Sequence, residues 1–465
     1  MRTMLMVGTA LLVSACSMAP ADKPVSMPVP HSWPSGDAYA ADARALPYSP
    51  SFREVFRDAR LQQLIVQALA NNRDLRIALA NVRAARARYQ VQRADQFPQI
   101  DGSIGVDRSK PGNTGTSNNA RPRTTYSAQL GLSVFELDLF GRLASLSRAE
   151  QNRYLATDAA SRMTRLAMAG DIADAWLDYG ADASLMAIAE QTAGSARQSL
   201  GLTRERAEAG VAPMVDLRQA EQIVAAAEAD LARQRTALAQ DINAIELLVG
   251  APIDRALLPA SIEDAGATIA DLPAGLDSRV LLRRPDVIEA EYRLRAANAE
   301  IGAARAALFP QISLTGLLGF ASRGLSSLFT SGAYRYSGAA DATYSIFRAG
   351  AGKANVRRSE AERDTALATY ERAIQTAFRD VADGLARRGT IDDETAAVAR
   401  QVDAASQSYD LADQRYAQGI DGFLPSLVAQ RSLYTARRDL VAIRREGASN
   451  RVALYRSLGG DAHWN

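Results

Sequence analysis

The chain is poor in the residues that usually carry chemistry. Its 465 residues include 2 histidines, His31 and His463, and 1 cysteine. No glycine-rich phosphate loop ending in Lys-Ser or Lys-Thr is present, and no nucleophile stands in a convincing pattern with a base. The sequence therefore favours a protein that is not an enzyme and that has no metal or other cofactor. Because the formal net charge is only +2, no nucleic acid or other polyanion is indicated as a partner.

Aromatic residues are scarce as well. They make up 6% of the chain, whereas hydrophobic residues make up 47% and alanine dominates among them. This composition favours closely packed helices over a globular core of bulky side chains.

The single cysteine lies at an informative position. Arg2 and an apolar run over residues 4–13 precede Val13-Ser14-Ala15-Cys16, which predicts a signal peptide over residues 1–15 that ends in a lipobox. Cys16 would then carry a covalent lipid, and an ordinary secretory signal is the alternative. Ser17 follows the cysteine in place of an aspartate, so the resemblance to bacterial lipoproteins indicates the outer membrane. Residues 16–55 are rich in Pro, Ala and Ser and are predicted to be a lipidated tether.

The apolar period changes from helical to strand-like at Phe309-Pro310, where proline cannot continue the helix. A similar sequence segment occurs near the start of the chain, where Arg93–Ile100 matches Arg305–Ile312 at an offset of 212. The sequence therefore predicts two copies of one unit, residues 56–250 and residues 281–465, with a connector over residues 251–280.

Each copy is predicted to contain a helix, two strands, a long helix and a shorter helix. The first long helix, about 69 residues from Gly141 to Ala209, would be roughly 100 Å long. It carries charged residues along its whole length, so it is predicted to span an aqueous distance and not a bilayer. The remaining predicted elements are a helix from Asp58 to about Gln96, strands Gln99–Asp107 and Tyr126–Val134, a helix to about Val249, a helix from about Leu282 to Phe309, strands Gln311–Phe320 and Tyr334–Phe347, a long helix Gly350–Gln418 and a last helix Phe423–Leu458.

The four strands are each about ten residues long and pair an apolar face with a polar one, as the wall of a membrane barrel requires. Leu132 and Tyr344 are predicted to face lipid, and Gln129 and Thr343 to face the lumen. Four strands cannot close a barrel, so several copies must complete it. A dimer would give eight strands and a filled interior, a trimer would give twelve and room for a pore, and a sheet in a soluble protein is the alternative.

Several motifs resemble those of the outer-membrane efflux family typified by TolC, and most closely its OprM/NodT lipoprotein branch. They are Leu281-Leu282-Arg283-Arg284-Pro285-Asp286-Val287, Ala297-Asn298 with Ile301-Gly302-Ala303-Ala304-Arg305-Ala306, Phe309-Pro310, and Glu136-Leu137-Asp138-Leu139-Phe140-Gly141-Arg142. The resemblance covers the chain from about Phe56 to Leu458.

The resemblance implies a homotrimeric channel that is mainly α-helical, with a 12-stranded outer-membrane barrel continuous with a periplasmic α-barrel. It also implies a periplasmic adaptor and an inner-membrane resistance-nodulation-division transporter as partners, and drugs, toxic compounds or metal ions as the exported molecules. The alternatives are an outlet for type I protein secretion and a structural coiled-coil lipoprotein or adhesin.

Two groups of residues are candidates for function, and the first is the motif Arg283, Arg284, Pro285 and Asp286. Pro285 is predicted to open a helix with Asp286 in its first turn, while Arg283 and Arg284 tie the connector to the helical wall; a contact with pump or adaptor is the alternative.

By position, the constriction residues of the family map to a second group, the predicted periplasmic gate. In this group Leu424 would form an apolar plug, whereas Tyr416, Arg415 and Asp216 would make breakable contacts between helices. Stabilisation of a helix start for Asp216 and packing for Tyr416 and Leu424 are the alternatives. Two positions that carry aspartates in TolC are Pro425 and Val428 here. The predicted gate consists of Asp216, Arg415, Tyr416, Leu424 and Arg431.

Overall fold

The structure is a computed structural model, and it describes residues 18–21, 26–39, 51–110, 122–271 and 277–460. The predicted signal peptide and Cys16 lie outside the described residues. The described chain is mainly helical and contains a four-stranded antiparallel sheet. Within these ranges, no helix combines the length and the apolar character that crossing a membrane requires.

The elements follow nearly the same order in the two halves. The first half contains α1 (Phe52–Val55), α2 (Ala59–Asn71), α3 (Arg73–Ala94), β1 (Ile100–Ser109), β2 (Arg123–Leu137), α4 (Arg142–Glu208) and α5 (Met214–Val249). The connector contains α6 (Ile262–Gly266), and the second half contains α7 (Pro285–Ala306), β3 (Gln311–Ser322), β4 (Tyr334–Thr343), α8 (Ala351–Ala417) and α9 (Phe423–Ser457). Short 3-10 turns lie at Arg255–Leu257, Ser278–Arg283, Leu325–Ser327 and Ser331–Ala333. The four predicted strands and the two long helices are thus confirmed.

The chain forms two compact units. The first takes the described residues of Met1–Val25, Asn81–Thr157 and Ala290–Tyr370, and it contains the whole sheet. The second takes those of Ser26–Ala80, Asp158–Glu289 and Glu371–Asn465.

In the first unit the strands are ordered β1-β2-β3-β4, so pairing between β2 and β3 joins the two halves of the chain. Opposed residues share a face, and one row across all four strands is Ser103, Gln129, Gly319 and Arg335. Arg335 Nη2 donates to Gln129 Oε1 at 2.9 Å across the intervening strand. A Cβ on Gly319 would lie 2.4 Å from the carbonyl oxygen of Ala128, so glycine is needed there. The opposite face is apolar and includes Ile100, Ile104, Val106, Leu130, Leu132, Leu318, Phe320, Tyr334 and Tyr336.

Two details of the predicted strands are wrong. A β-bulge between Leu132 and Phe135 inserts an extra residue into β2, which reverses the alternation, so that Phe135 pairs with Leu314 on the apolar face in place of Val134. The second detail is the length of β4, which ends at Thr343. Thr343 pairs with Gln311, and Pro310 before it has no N–H to extend the ladder. The predicted lipid-facing residue Tyr344 therefore lies outside the strand.

In the second unit, the core is built from long helices whose buried residues combine leucine, isoleucine and valine with many alanines. Trp176 of α4 is fully buried, and its Nε1 donates to the carbonyl oxygen of Leu257 at 3.0 Å. Phe56 meets Tyr455 of α9 edge-on with ring centroids 5.2 Å apart. Alanines fill many of the other helix contacts, among them Ala169, Ala173, Ala193, Ala265, Ala436 and Ala448.

The helix predicted from Asp58 to Gln96 is two helices. Asp58, where the helix was predicted to begin, caps α2, since its side chain accepts a hydrogen bond from Arg60 N at 2.8 Å. Asn72 then adopts extended geometry with ψ 134°. Its Oδ1 accepts from Leu75 N at 2.9 Å and its Nδ2 donates to Leu248 O at 2.7 Å. Asparagine favours such caps because its side chain competes with the helical backbone.

From Ser26 onward, the described residues of the predicted tether belong to the second unit. Trp33 stacks on Phe378 with ring centroids 4.9 Å apart, and Ser278 Oγ donates to Pro30 O at 2.7 Å. Phe52 and Val55 of α1 are buried. This part of the segment therefore lies against helices of the second unit and is not a free spacer.

Candidate functional site

The turns that join α4 to α5 and α8 to α9 are built alike. Gly210 and Gly419 have φ of 75° and 73°, a left-handed conformation that glycine adopts without strain. Arg206 O accepts from Val211 N and Arg415 O accepts from Ile420 N, both at 2.9 Å. The two halves of the chain therefore end their long helices with the same hydrogen-bonded turn.

Tyr416 is the best-connected of the predicted gate residues. It is 2% exposed, and its hydroxyl lies 2.7 Å from Thr203 Oγ1 of α4. Arg206 Nη1 donates to the carbonyl oxygen of Tyr416 at 2.6 Å, and the guanidinium lies 4.9 Å from the centroid of the Tyr416 ring. The ring also packs against Phe423, with centroids 5.3 Å apart. These contacts hold the end of α8 to the end of α4.

Sequence reasoning missed Thr203 and Arg206. Arg206 could have been found, because it aligns with Arg415 at an offset of 209, and the two arginines occupy equivalent places in the two turns. Nothing in the local sequence distinguishes Thr203, since a threonine within a long helix gives no signal of a distant partner.

The structure does not bring the other predicted gate residues to Tyr416. Arg415 is exposed and pairs with Asp421 of its own turn, with Nη2 and Oδ1 at 3.0 Å. This hydrogen-bonded arginine holds the pKa of the Asp421 carboxyl below its usual value. Asp216 is half-buried in the first turn of α5, where its carboxylate suits the helix dipole. Arg431 is exposed at the edge of a cavity of about 220 Å³ beside Tyr434.

Leu424 is not a core residue of this chain. It is 59% exposed, and Ile420 and Val428 are 57% and 56% exposed. Residues four apart share one face of a helix, so α9 begins with an uncovered apolar face at Leu424 and Val428, and Ile420 is exposed in the turn before it. The turn of the first half is similar, because Val211, Met214 and Val215 are also exposed.

The Arg-Arg-Pro-Asp motif forms an ion pair in the second unit between a buried arginine and a partly exposed aspartate. Pro285 opens α7, and Asp286 lies in its first turn. Arg284 is 4% exposed; its Nε and Nη2 donate to the two oxygens of Asp286 at 3.0 and 2.8 Å, and its Nη1 donates to Ser457 O at 2.6 Å. A buried arginine paired in this way holds the turn before α7 to the end of α9, which favours the structural reading. Arg283 is exposed.

A ladder of aspartates on α4, spaced by four residues, was not recognised from the sequence. Asp174 accepts from Ser449 Oγ at 2.7 Å, and Asp178 pairs with Arg445, both partners lying on α9. Asp182 continues the ladder into a cavity of about 490 Å³, where it meets Asp241 of α5. Burial, and then the charges of Asp182 and Asp178, raise the pKa of Asp241 to about 7. Among the described residues, no group of three His, Cys, Asp or Glu side chains is placed to hold a metal ion.

A chain with two long helical hairpins, each following two strands of one shared sheet, has the architecture of TolC-like channels. The family model for outer membrane efflux proteins matches residues 64–251 and 276–460. The chain belongs to the outer membrane efflux protein family.

Individual relatives agree with this assignment. The chain is 41% identical to the solvent efflux pump outer membrane protein SrpC of Pseudomonas putida, over 97% of this chain and 96% of that protein. It is 38% identical to the outer membrane protein OprJ of Pseudomonas aeruginosa, over 97% and 94% of the two chains. The open state of the MtrE outer membrane channel of Neisseria gonorrhoeae has a TM-score of 0.84 at 31% identity, over 96% and 99% of the two chains.

Proposed function

We propose that three copies of this chain form the outer-membrane channel of a tripartite efflux system. Family membership makes the chain an outer-membrane efflux protein. In our proposal, the channel passively conducts small molecules from an inner-membrane resistance-nodulation-division transporter, through a periplasmic adaptor, to the exterior. Drugs, solvents and other toxic compounds are the proposed cargo, in keeping with relatives named as solvent and antibiotic efflux proteins.

The observation that carries the trimeric channel is the sheet. It has four strands, an apolar face and two edges, β1 and β4. An unpaired edge inside a bilayer would leave each backbone group without a hydrogen bond at a cost of several kcal/mol. Pairing β4 of one copy with β1 of the next removes the edges, and three copies give twelve strands with room for a pore.

A lipid anchor at Cys16 is the second part of the proposal, and it is supported by the lipobox in the sequence. Several acyl chains hold a protein on a membrane stably, whereas one holds it only marginally. Cells grown with a radioactive fatty acid should label the wild-type chain and not Cys16→Ser. The barrel inserts independently, so this variant should still form trimers. Label that persists in Cys16→Ser would exclude acylation at this residue.

The third part of the proposal concerns the closed state of the channel. We propose that the hydrogen bond between Tyr416 and Thr203 holds each pair of hairpins together, while the exposed side chains of Leu424 from three copies narrow the opening. A hydrogen bond contributes about 1 kcal/mol, and three symmetric copies of it bias the closed state substantially.

Single-channel recording in planar bilayers tests the channel and its gate. Wild-type trimers should conduct with a low open probability, and Tyr416→Phe with Leu424→Ser should raise both open probability and conductance. Arg218→Ala, which removes an exposed side chain of α5 paired within its own helix, is the control and should behave as wild type. A complete lack of conductance would contradict the channel, and conducting variants identical to wild type would place the constriction elsewhere.

A further inference from the structure

Residues 18–20 lie on α7 in a way that the tether prediction did not anticipate. Asn298 Nδ2 donates to the carbonyl oxygen of Pro20 at 3.0 Å. One helical turn further on, a Cβ placed on Gly302 would lie 2.8 Å from Ala19 N and 2.9 Å from its Cα and Cβ. Real Cβ atoms do not approach other atoms so closely, so only glycine allows residues 18–20 to lie where they do. Asn298 and Gly302 are four residues apart and share one helix face.

This arrangement occurs in one of the two repeats. The helices α3 and α7 each contain 22 residues and match at the offset of 212, since Arg73 corresponds to Pro285 and Ala94 to Ala306. At this offset Asn298 corresponds to Arg86 and Gly302 to Gln90. Both α3 residues are exposed, whereas Gly302 is buried. The second copy of the helix thus differs from the first at the two positions that contact the N-terminal segment.

We propose that Asn298 and Gly302 form a docking seat for residues 18–20, and that this seat fixes the acylated Cys16 close to the start of β3. Covalent connectivity limits the distance from Cys16 to Ala19, because three residues of chain span at most about 11 Å. Gly302 lies four residues before the end of α7 at Ala306, a rise of about 6 Å. Strand β3 begins at Gln311, shortly after that end.

The seat has a consequence for insertion of the channel. A lipid on a long free spacer could enter the membrane anywhere around the protein. A lipid held beside the end of α7 enters where the strands of the sheet begin, so the anchor and the barrel reach the membrane together. One seat per chain gives three such anchors around a trimer. This inference rests on the proposed lipid anchor and barrel.

Spin labelling of the full-length, lipidated trimer in detergent tests the seat. Ala21 is exposed, and Ala21→Cys introduces one labelling site because the acylated Cys16 is the only native cysteine. A nitroxide at this site should give a slow, immobilised spectrum. Gly302→Gln, which places the residue of the first repeat in the seat, should shift most of the signal to a fast component. Asn298→Ala removes the hydrogen bond without adding bulk and should produce a smaller shift in the same direction.

Gly201→Gln is the matched control, because a Cβ at that helical glycine meets nothing within 4 Å; its spectrum should equal that of the parent. The seat is overturned if the parent label is already as mobile as in Asn298→Ala and Gly302→Gln, or if Gly201→Gln mobilises it equally. Failure of the lipid anchor would be recognised separately, since protein without an introduced cysteine would then take up label at Cys16.

Discussion

At the scale of single residues, the least ordinary group in the second unit is the carboxyl of Asp241. Its pKa is raised to about 7, first by burial and then by the charges of Asp182 and Asp178. Burial also raises the pKa of Asp182. Two carboxyl groups in contact cannot both ionise at low cost. Below about pH 7 they therefore share one proton between α4 and α5. Arg445 and Arg438 of α9 line the same cavity.

The raised pKa of Asp241 predicts how the stability of the fold depends on pH. A carboxyl whose folded pKa lies above its unfolded value stabilises the fold below the unfolded pKa, and the stabilisation disappears as the pH rises through the folded pKa. Between pH 5 and pH 8, wild type should therefore lose stability relative to Asp241→Asn, on the order of 1 kcal/mol after allowance for solvent screening. Circular dichroism melting of the helices at several pH values measures this. Asp439→Asn, at an exposed neighbour, should follow wild type, and parallel curves for wild type and Asp241→Asn would contradict the shared proton.

The candidate site was predictable only where a residue type by itself favours one structural position. Pro285 and Asp286 open a helix because proline and an acidic residue suit its first turn, and structure and sequence agree there. The partner of Tyr416 was not predictable, because Thr203 lies 213 residues away and no local pattern specifies it. The ladder of Asp174, Asp178 and Asp182 was visible as a four-residue spacing, but its meaning depended on which helix faces it.

At the scale of elements, the period of the apolar residues identified each of the strands that the structure describes, because alternation is a property of the strand itself. It missed the bulge after Leu132, since an extra residue is specified by the partner strand and not by the strand that carries it. It also joined α2 and α3 into one helix. Asn72 is an acceptable helix residue by propensity, and its bond to Leu248 O is a tertiary contact that overrides that propensity.

The register of the sheet predicts which arginine substitutions the proposed barrel tolerates. Leu132 lies on the apolar face and Ser127 on the polar face of the same strand, opposite Gly105. Arginine near the bilayer midplane costs about 2 to 4 kcal/mol on the lipid face, so Leu132→Arg should strongly reduce the yield of trimer in the outer membrane. Ser127→Arg should assemble nearly as well as wild type. It is a better control than Gln129→Arg, because an arginine at Gln129 would meet Arg335.

Equal trimer yields for Leu132→Arg and Ser127→Arg would mean that the assigned faces are wrong. Yield is read as the fraction of chain that runs as a trimer on gels of unheated outer-membrane samples. Total protein in the same cells, measured after heating, separates failed assembly from low expression.

At the scale of the whole molecule, the two repeats explain both the success and the limits of the sequence analysis. Repeated segments such as Arg93–Ile100 and Arg305–Ile312 indicate the same order of helices and strands in both halves. An element that is hard to assign in one half can therefore be assigned from the other. The two repeats differ at positions where contacts with other parts of the chain determine the local structure. Gly302 in place of Gln90, and a bulge in β2 that its counterpart β4 does not share, are two such differences.

The two edge strands of the sheet, β1 and β4, predict how copies of the chain assemble. If β4 of one copy pairs with β1 of the next, a cysteine at Ser103 on β1 should form a disulfide with cysteines introduced along β4 of a neighbour. Opposed residues share a face, so crosslinks should form with one or two of the positions on the face of Ser103 and not with those between them. The positions expected to react are Ser337, Ala339 and Asp341, and the controls are Gly338 and Ala340.

The readout is a ladder of linked dimers and trimers on a non-reducing gel, which collapses to single chains when the disulfides are reduced. A disulfide requires Cα atoms about 4.4 to 6.8 Å apart, so its formation requires the two edge strands to be direct neighbours. In the proposed lipidated protein Cys16 contributes no thiol, which keeps the background low. Crosslinking that stops at dimers would support a smaller barrel. Equal crosslinking at Gly338 and Ala339 would mean that β4 does not pair with β1 of another copy, and the closure of the barrel would then have to come from a different edge.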